Sequence, residues 1–411
     1  MAPVAVAPTE FKNPYRPGAG HMPPYLAGRE DAFAEFARLL DQDVILDNMV
    51  LTGLRGVGKT VLLDKFKPKA INAGWLWVGA DLSETASLTE ANLAQRLLTD
   101  LSMVTSSFTI QAAAPVGFHP DPDGSRQAAL DYRTLERLFS DTPGLIADKL
   151  RGVLEYVSAI LASHGRGRVV FAYDEAQNLS DHAKNHNYPL SMLLDIFQSL
   201  QKREMRFMLV LSGLPTLLPK LVDARTFSEK MFRVVKLGRL SEQASRDAIK
   251  RPIEVAECPV RFTESSIRTI MRQAAAYPYF IQFICREVFD VFIQQVRDDE
   301  DTGVPVESIQ RKLDTDFFSG RWARTTDRRQ QLLWVIANLD NPEGEFTISE
   351  VVERAKVVLE KGFSRSHISQ MLSTLTNRGF IYKHRFGKYS FAVPLMAQFI
   401  SRNYDGPTAG Q

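Results

Sequence analysis

Cysteine is scarce in this chain, since Cys258 and Cys285 are the two cysteines among 411 residues. Because neither belongs to a C-x-x-C pair, we expect no disulfide framework and no structural zinc site. Long apolar runs are also missing, so no segment reaches the roughly 20 residues of a membrane-spanning helix. The first residues lack the basic and apolar regions of a signal peptide. These absences predict a cytoplasmic protein with no membrane partner.

An excess of either charge is missing as well, because 50 Lys and Arg are balanced by 48 Asp and Glu. Such a chain does not, as a whole, indicate a polyanionic partner. The balance is uneven, however, since residues 321–405 contain 13 Lys and Arg but 8 Asp and Glu. This basic C-terminal part points weakly toward nucleic acid.

A motif of high specificity is present at residues 53–60, which fit G-x-x-x-x-G-K-S/T between an apolar run and a helical pattern. Its glycines let backbone amides surround an anion, its lysine reaches the β- and γ-phosphates, and its threonine holds Mg²⁺. A glycine-rich turn between a strand and a helix is the alternative. The predicted nucleotide-binding residues are Gly53, Leu54, Arg55, Gly56, Val57, Gly58, Lys59, Thr60 and Val61.

Two acids, Asp174 and Glu175, end a later strand-like run at residues 168–173. In phosphate-loop enzymes the acid at the end of a buried strand holds Mg²⁺, and a second acid activates the attacking water. We therefore predict Thr60 and Asp174 as the metal-binding residues and Glu175 as the base. The alternative is a solvated strand end.

Ser212 ends the next apolar run and precedes Gly213. Because the carboxyl ends of parallel strands share one edge of a sheet, Ser212 is placed to sense the γ-phosphate or position the water. A turn-forming serine is an equal alternative. The predicted catalytic residues are Lys59, Asp174, Glu175 and Ser212.

Arg225 and Arg233 follow the Ser212 strand. Many ATPases of this kind take an arginine from a neighbouring subunit to stabilise transition-state charge. Either residue could serve as this arginine finger in a homo-oligomer, and ion pairing on the surface is the alternative for each.

Strand-like runs alternate with helical patterns up to about residue 240, which predicts a parallel sheet covered by helices. Residues 104–128 interrupt this rhythm and predict a long loop or insertion, and Ser87 and Glu90 resemble a capping box. The predicted parts are an irregular N-terminal segment (1–24), a core (25–239), a helical domain (240–320), a C-terminal domain (321–405) and a tail (406–411).

Together these motifs resemble the AAA+ and STAND-like ATPases, nearest to the archaeal-type and origin-recognition-initiator-like branch. Residues 24–30 are similar to an N-terminal box of that branch, which lies against the adenine, so the resemblance implies Leu26 and Arg29 as nucleotide contacts. Ala276 stands where the family's lid has glycine, and no arginine stands at the sensor-2 place. This departure favours a STAND-like switch in which Pro278 contacts the nucleotide. The resemblance implies an α/β P-loop core with a helical lid, and ATP and Mg²⁺ as ligands.

The C-terminal domain reads as helix, helix and hairpin, which is similar to the winged helix-turn-helix of the initiator ATPases. In such domains the second helix enters the major groove and a basic wing contacts phosphates. Docking on a protein is the alternative. The predicted DNA-binding residues are Arg365, His367, Gln370, Arg378, Lys383, Arg385 and Lys388.

These inferences favour a slow ATPase that couples its nucleotide state to double-stranded DNA. Two alternatives remain open: a STAND-like signalling or defence ATPase whose winged helix binds a protein effector, and a transposition-type ATPase associated with DNA.

Overall fold

The computed structural model describes residues 12–18, 20–113, 125–258, 260–298, 304–360, 362–384 and 387–406. Two compact units divide the chain, and each is built from separate stretches. The sheet unit comprises Glu30–Thr52 and Leu62–Lys236. The phosphate-loop unit comprises Met1–Arg29, Gly53–Val61 and Leu237–Gln411. No helix within the described ranges is long and apolar enough to cross a membrane.

The strands are β1 (Asn48–Gly53), β2 (Leu76–Val78), β3 (Thr109–Ala113), β4 (Ser125–Ala129), β5 (Val169–Tyr173), β6 (Phe207–Gly213), β7 (Phe232–Leu237), β8 (Phe346–Thr347), β9 (Ile381–Lys383) and β10 (Lys388–Phe391). The helices are α1 (Glu30–Leu40), α2 (Lys59–Asn72), α3 (Glu90–Thr105), α4 (Tyr132–Asp141), α5 (Ile146–Ser163), α6 (Pro189–Lys202), α7 (Leu217–Ala224), α8 (Ser228–Met231), α9 (Glu242–Val255), α10 (Glu264–Ala274), α11 (Pro278–Asp298), α12 (Val306–Leu313), α13 (Gly320–Trp322), α14 (Asp327–Ala337), α15 (Ile348–Val358), α16 (Arg365–Asn377) and α17 (Met396–Asn403).

Five strands form the main sheet in the order β2-β5-β6-β1-β7. Strand β5 pairs in parallel with β2 and β6, and β6 pairs in parallel with β1 in a register that matches Met49 with Val210. Every residue of β1, β5 and β6 is buried. Central parallel strands are covered on both faces, which explains why these segments are continuous apolar runs. The predicted α/β fold with a parallel sheet is confirmed.

The described ends of the expected long loop, residues 104–113 and 125–128, contain regular secondary structure. Helix α3 continues to Thr105, and β3 and β4 then pair antiparallel from Thr109 with Ala129 to Ala113 with Ser125. The middle of the predicted insertion, residues 114–124, lies outside the described residues. Neither strand has an alternating apolar pattern, so the pairing had no signal in the local sequence.

The cap of α3 also differs from the expected capping box. Thr89, and not Ser87, is the N-cap, and its hydroxyl accepts a hydrogen bond from the Asn92 amide. Ser87 instead ends a short 3₁₀ turn, Thr85–Ser87, and is buried. Glu90 is therefore the first residue of the helix, whereas the expected capping box would have made it the third.

In its described residues, 12–18 and 20–24, the N-terminal segment has no helix or strand but is anchored in the phosphate-loop unit. The Asn13 side-chain amide donates to the Arg286 carbonyl (2.9 Å) and to Asp290 (2.7 Å). Tyr15 is buried, and its hydroxyl donates to the Ile249 carbonyl. The segment is thus held against α9 and α11.

The C-terminal part combines helices α14 to α17 with a small sheet. Strands β8 and β9 pair antiparallel on either side of β10. Thr347 caps α15 in a capping box with Glu350, and Ser364 caps α16 by accepting from the His367 amide. At the hairpin, Gly387 adopts a φ of +72°, a left-handed conformation that glycine tolerates without strain.

Candidate functional site

The phosphate loop, residues 53–60, follows β1 directly in the chain, and α2 begins within it at Lys59. Gly56 and Gly58 have φ values of +78° and +90°, which disfavour any residue with a Cβ. At Gly53 a Cβ would come within 2.4 Å of the Leu237 carbonyl oxygen. A Cβ at Gly58 would meet no atom within 4 Å, so this glycine borders open space. The loop has the glycine-dependent backbone that a phosphate cradle requires.

Lys59 folds back over the phosphate loop. Its ammonium donates to the carbonyl oxygens of Gly53 (2.9 Å) and Leu54 (3.0 Å). The positive charge of Lys59 is therefore held at the beginning of the loop, beside the backbone that precedes the N-terminal end of α2. This position suits the electrostatic stabilisation of a phosphate group.

Arg29 braces the same loop from the N-terminal segment. Its buried guanidinium donates to the carbonyls of Gly28 (2.9 Å), Val57 (2.9 Å) and Gly238 (3.1 Å). A charged group that makes several hydrogen bonds fixes the backbone to which it donates. Arg29 thus shapes the loop through Val57, while Leu26 is half-buried in the preceding turn.

The start of α11 also contacts the loop. Pro278 is the first residue of this helix, and the amide of its neighbour Tyr279 donates to the Gly56 carbonyl (3.1 Å). A Cβ at Gly56 would lie 3.0 Å from the Tyr279 Cβ. The resemblance implied Pro278 as a nucleotide contact, and this stays a prediction. The hydrogen bond to the loop is made by its neighbour Tyr279. The similarity of residues 276–278 to the family's lid motif was the signal that pointed to this turn.

The two predicted acids belong to the sheet unit, where they follow β5. Asp174 is buried, with 3% exposure, and its Oδ1 accepts from the Glu175 amide (2.8 Å). The Asp174 carbonyl also accepts from the Leu82 amide (3.0 Å). Glu175 is exposed and adopts a left-handed φ of +51°. Such strain in a non-glycine residue is typical of a functional turn.

Gln177 is a residue that sequence reasoning missed. Its side-chain amide donates to the Glu175 carboxylate, and its carbonyl oxygen accepts from the Leu214 amide (2.9 Å). Gly213 is needed for this approach, because a Cβ there would lie 2.8 Å from the Gln177 Oε1. Gln177 therefore ties the predicted base to the end of β6.

Ser212 lies at that end of β6 and is fully buried. Within the described residues its hydroxyl has no hydrogen-bond partner. A buried hydroxyl without a partner is costly and is frequent at ligand sites. Ser212 thus lies buried at the carboxyl edge of the sheet, and its sensing role stays a prediction.

Negative charge accumulates around Asp174. The pKa values of Asp64 and Asp81 are raised, first because both lose hydration and then because Asp174 lies nearby. Glu175 contributes further to the raised pKa of Asp81. These carboxylates therefore influence one another's ionisation. Within the described residues, however, no group of three or more His, Cys, Asp and Glu side chains is arranged to hold a metal ion by itself.

Both predicted finger arginines are paired within the chain. The Arg225 guanidinium forms a two-pronged ion pair with Asp195, with a 2.7 Å bond from Nε, and donates to Ser191 (2.9 Å). Arg233 donates through Nε to Asp47 (3.1 Å). The pair made by Arg225 fixes its side chain more firmly than the single bond of Arg233.

Most of the predicted DNA-binding residues are exposed in the C-terminal part. On α16, the Arg365 guanidinium donates to Ser349 (3.2 Å), and Arg378 at the C-cap donates to the Arg324 carbonyl (2.6 Å). Lys388 pairs with Glu345 (3.3 Å), and Arg385 lies outside the described residues. The other exposed members of the set are His367, Gln370 and Lys383.

Comparison with known proteins agrees with this architecture. Residues 25–218 match the AAA ATPase domain, and residues 315–400 match a domain of unknown function (DUF8462). The structure is similar to the Walker-type ATPase PABY2304 of Pyrococcus abyssi, with a TM-score of 0.54, 16% identity, and coverage of 92% of this chain and 96% of that one. It is also similar to the ORC2 protein of Aeropyrum pernix in its ADPNP–ADP complexes (TM-score 0.51, 10% identity, 94% and 96% coverage). No curated protein matches the sequence.

These similarities define the class of the protein, a P-loop ATPase fold with a parallel sheet and a helical C-terminal region. Residues 25–218, slightly less than half of the chain, match an ATPase domain of the AAA type, in agreement with the motifs. At these levels of identity the two solved structures support the shared fold alone.

Proposed function

We propose that this protein is an ATP-hydrolysing switch that couples its nucleotide state to double-stranded DNA. In this proposal the phosphate loop and the acids after β5 act on one ATP molecule, residues 240–320 form a lid, and residues 321–405 form a winged helix-turn-helix. The AAA ATPase match over residues 25–218, which contain both motifs, supports the first part.

Nucleotide binding is assigned to the phosphate loop. Lys59 and the loop amides neutralise the β- and γ-phosphates, and Arg29 keeps the loop in its binding conformation through Val57. Thr60 and Asp174 would hold Mg²⁺, because hydroxyl and carboxylate oxygens are donors that suit a hard cation. When bound, Mg²⁺ neutralises charge that develops on the phosphate oxygens.

Hydrolysis is assigned to Glu175, which orients and deprotonates water. The amide of Gln177 holds the Glu175 carboxylate, so the base does not rotate freely. The Ser212 hydroxyl has its hydrogen-bonding capacity available for a phosphate oxygen or for this water. Slow turnover is expected, because Arg225 and Arg233, the two candidates for supplying transition-state charge, are paired with carboxylates of the same chain.

DNA binding is assigned to α16 and the β9–β10 hairpin. The observation that carries this assignment is the exposed polar face of α16, where Arg365, His367, Gln370 and Arg378 all reach solvent. A capped helix that precedes a basic hairpin suits insertion into the major groove, with the hairpin along the phosphates.

The test is ATP hydrolysis by the full chain with and without double-stranded DNA, with Glu175→Gln as the blank. We expect DNA to change the rate of hydrolysis. We expect Arg365→Gln to raise the DNA concentration needed for this change and to leave hydrolysis without DNA unchanged. Heparin or DNA resin should retain the protein in a salt-sensitive way. A rate that ignores DNA, with no retention on the resin, would contradict the proposal.

A second candidate is a signalling switch whose C-terminal domain binds a protein. It is favoured by Glu345, which pairs with both Lys388 (3.3 Å) and His384 (3.4 Å) and so reduces the positive charge of the hairpin. This candidate predicts no DNA affinity and nucleotide-dependent oligomers. Light scattering with ATP, alone and with DNA, separates it from a transposition-type ATPase, which would form large particles on DNA only.

A further inference from the structure

Four arginines from three separate stretches of chain come together in the phosphate-loop unit. Arg55 belongs to the phosphate loop, Arg321 to α13, Arg324 to the turn after α13, and Arg378 is the C-cap of α16. Arg55 lies against the residue after Arg378, because a Cβ added at Gly379 would be 3.7 Å from the Arg55 Nη2. Arg378 donates to the Arg324 carbonyl (2.6 Å). We call these four residues the arginine cluster.

Aromatic side chains hold the arginine cluster beside the phosphate loop. The Arg321 guanidinium carbon lies 5.3 Å from the centre of the Phe317 ring, and that ring lies 5.3 Å from the ring of Tyr279. Tyr279 in turn donates its amide to Gly56. A guanidinium stacked on an aromatic ring is oriented but keeps its N–H donors available.

Ion pairs do not neutralise the arginine cluster among the described residues, where no carboxylate pairs with any of its four guanidinium groups. The charge of Asp316 acts on the neighbouring Tyr279. Arg321 is half-buried, and its pKa is lowered by burial and by the charges of Arg55 and Arg324. Like charges gathered at this spacing repel one another and favour an anion between them.

We propose that the arginine cluster binds backbone phosphates of a nucleic acid. The phosphate group is the anion that arginine recognises best, through paired N–H donors. Arg378 continues the polar face of α16, so a DNA strand that lies along this helix would reach Arg324 and Arg321 next. This inference rests on the proposed DNA binding and adds a contact outside the recognition helix and the hairpin.

The arginine cluster also connects the nucleic acid to the nucleotide site. Arg55 is followed directly by Gly56, whose carbonyl accepts from Tyr279. A phosphate drawn to Arg55 would therefore act on the phosphate loop through one peptide unit. Nucleotide phosphates share this chemistry, so the experiment includes both sources.

The experiment compares a double variant, Arg321→Gln with Arg324→Gln, with a control that loses two exposed arginines of α10, Arg268→Gln with Arg272→Gln. Fluorescence anisotropy measures the binding of a short labelled DNA duplex over a range of salt concentrations. Binding of a fluorescent ATP analogue is measured separately without DNA. Thermal melting confirms that each variant is folded, and the single variant Arg324→Gln, at an exposed site, repeats the test with less perturbation.

We expect the double variant to bind the duplex roughly tenfold more weakly than the control. The slope of its log affinity against log salt concentration should be shallower by about one to two. Its affinity for the ATP analogue should be unchanged. If the double variant binds the duplex as tightly as the wild-type protein while Arg365→Gln binds it more weakly, the arginine cluster does not bind DNA and the proposed function still stands. Failure of the wild-type protein to bind the duplex would overturn both. Loss of ATP-analogue affinity alone would assign the cluster to nucleotide phosphates and overturn the nucleic-acid proposal.

Discussion

The Tyr279 amide donates a hydrogen bond of 3.1 Å to the Gly56 carbonyl, which joins the first turn of α11 to the middle of the phosphate loop. The two residues are far apart in the sequence, so the loop conformation depends on a helix that belongs to the C-terminal half. A loop that changes conformation when phosphate binds would move this turn, and a moved turn would change the loop, since such coupling is reciprocal.

Gly56→Ala should destabilise the nucleotide-free protein more than Gly58→Ala does. Both substitutions place a Cβ on a left-handed backbone, at a cost of about 1–2 kcal/mol each. The alanine at position 56 would also press on Tyr279 at 3.0 Å, whereas the one at position 58 meets nothing within 4 Å. Thermal melting without nucleotide measures the difference. Equal melting temperatures would show that the Tyr279 contact adds nothing.

Ser212→Ala should slow hydrolysis about tenfold without lowering thermal stability. The buried hydroxyl has no partner within the described residues, so its removal takes away no hydrogen bond of the protein. Steady-state ATP hydrolysis and melting are measured together. Ser228→Ala, which removes another buried hydroxyl without a described partner, is the control for turnover. An unchanged rate would assign Ser212 to the turn alone.

Gln177→Ala should lower kcat roughly tenfold and leave KM nearly unchanged, because the side chain positions Glu175 and not the substrate. Gln177→Glu offers a sharper test. A carboxylate beside Glu175 would raise the pKa of that base, so the acidic limb of the pH–rate profile should move to higher pH. A profile that does not move would remove Gln177 from the positioning of the base.

Asp81→Asn should stabilise the protein at neutral pH in the absence of Mg²⁺. The pKa of Asp81 is raised, first by lost hydration and then by Asp174 and Glu175. A carboxyl whose folded-state pKa is raised binds its proton more tightly when folded, so its ionisation costs stability as the pH rises above the ordinary value. The gain from asparagine should therefore shrink as the pH falls below that value. Melting over a pH series checks this, with Glu84→Gln in the same loop as control.

Glu345→Gln should raise DNA affinity about two- to fivefold at low salt. The substitution removes the carboxylate that pairs with Lys388 and His384 and leaves both side chains for phosphates. Anisotropy with a labelled duplex measures the change. Glu353→Gln, which frees Lys356 on α15, is the matched control. Weaker binding, or the same gain in the control, would count against a role of the hairpin.

The phosphate loop and the strands beside it were predictable because their signals are local. The apolar runs 49–51, 169–173 and 207–211 lie in β1, β5 and β6, and a polar residue directly follows each run at the same edge of the sheet. A parallel strand that is buried on both faces consists mostly of apolar residues, so an apolar run indicates where such a strand lies in the chain. The same reasoning placed Asp174 and Ser212 at the ends of neighbouring strands.

The contacts that adjust these residues were not predictable. Gln177 reaches Glu175 only because Glu175 adopts a left-handed turn, and nothing in the spacing of the chain requires that turn. Tyr279 reaches Gly56, and Arg225 reaches Asp195, through packing between elements that are remote in sequence. Side-chain direction of this kind is decided by tertiary structure rather than by periodicity.

The three stretches of the phosphate-loop unit leave the ribosome at very different times. Gly53–Val61 is synthesised early, but Leu237–Gln411, which supplies Tyr279 and Gly238, emerges last. Synthesis is slow compared with the formation of local structure, so the sheet unit has all its strands before the loop acquires Tyr279. A polypeptide that terminates before this residue carries the phosphate-loop motif without the amide that braces Gly56. The loop thus gains this contact only after about two thirds of the polypeptide has been made.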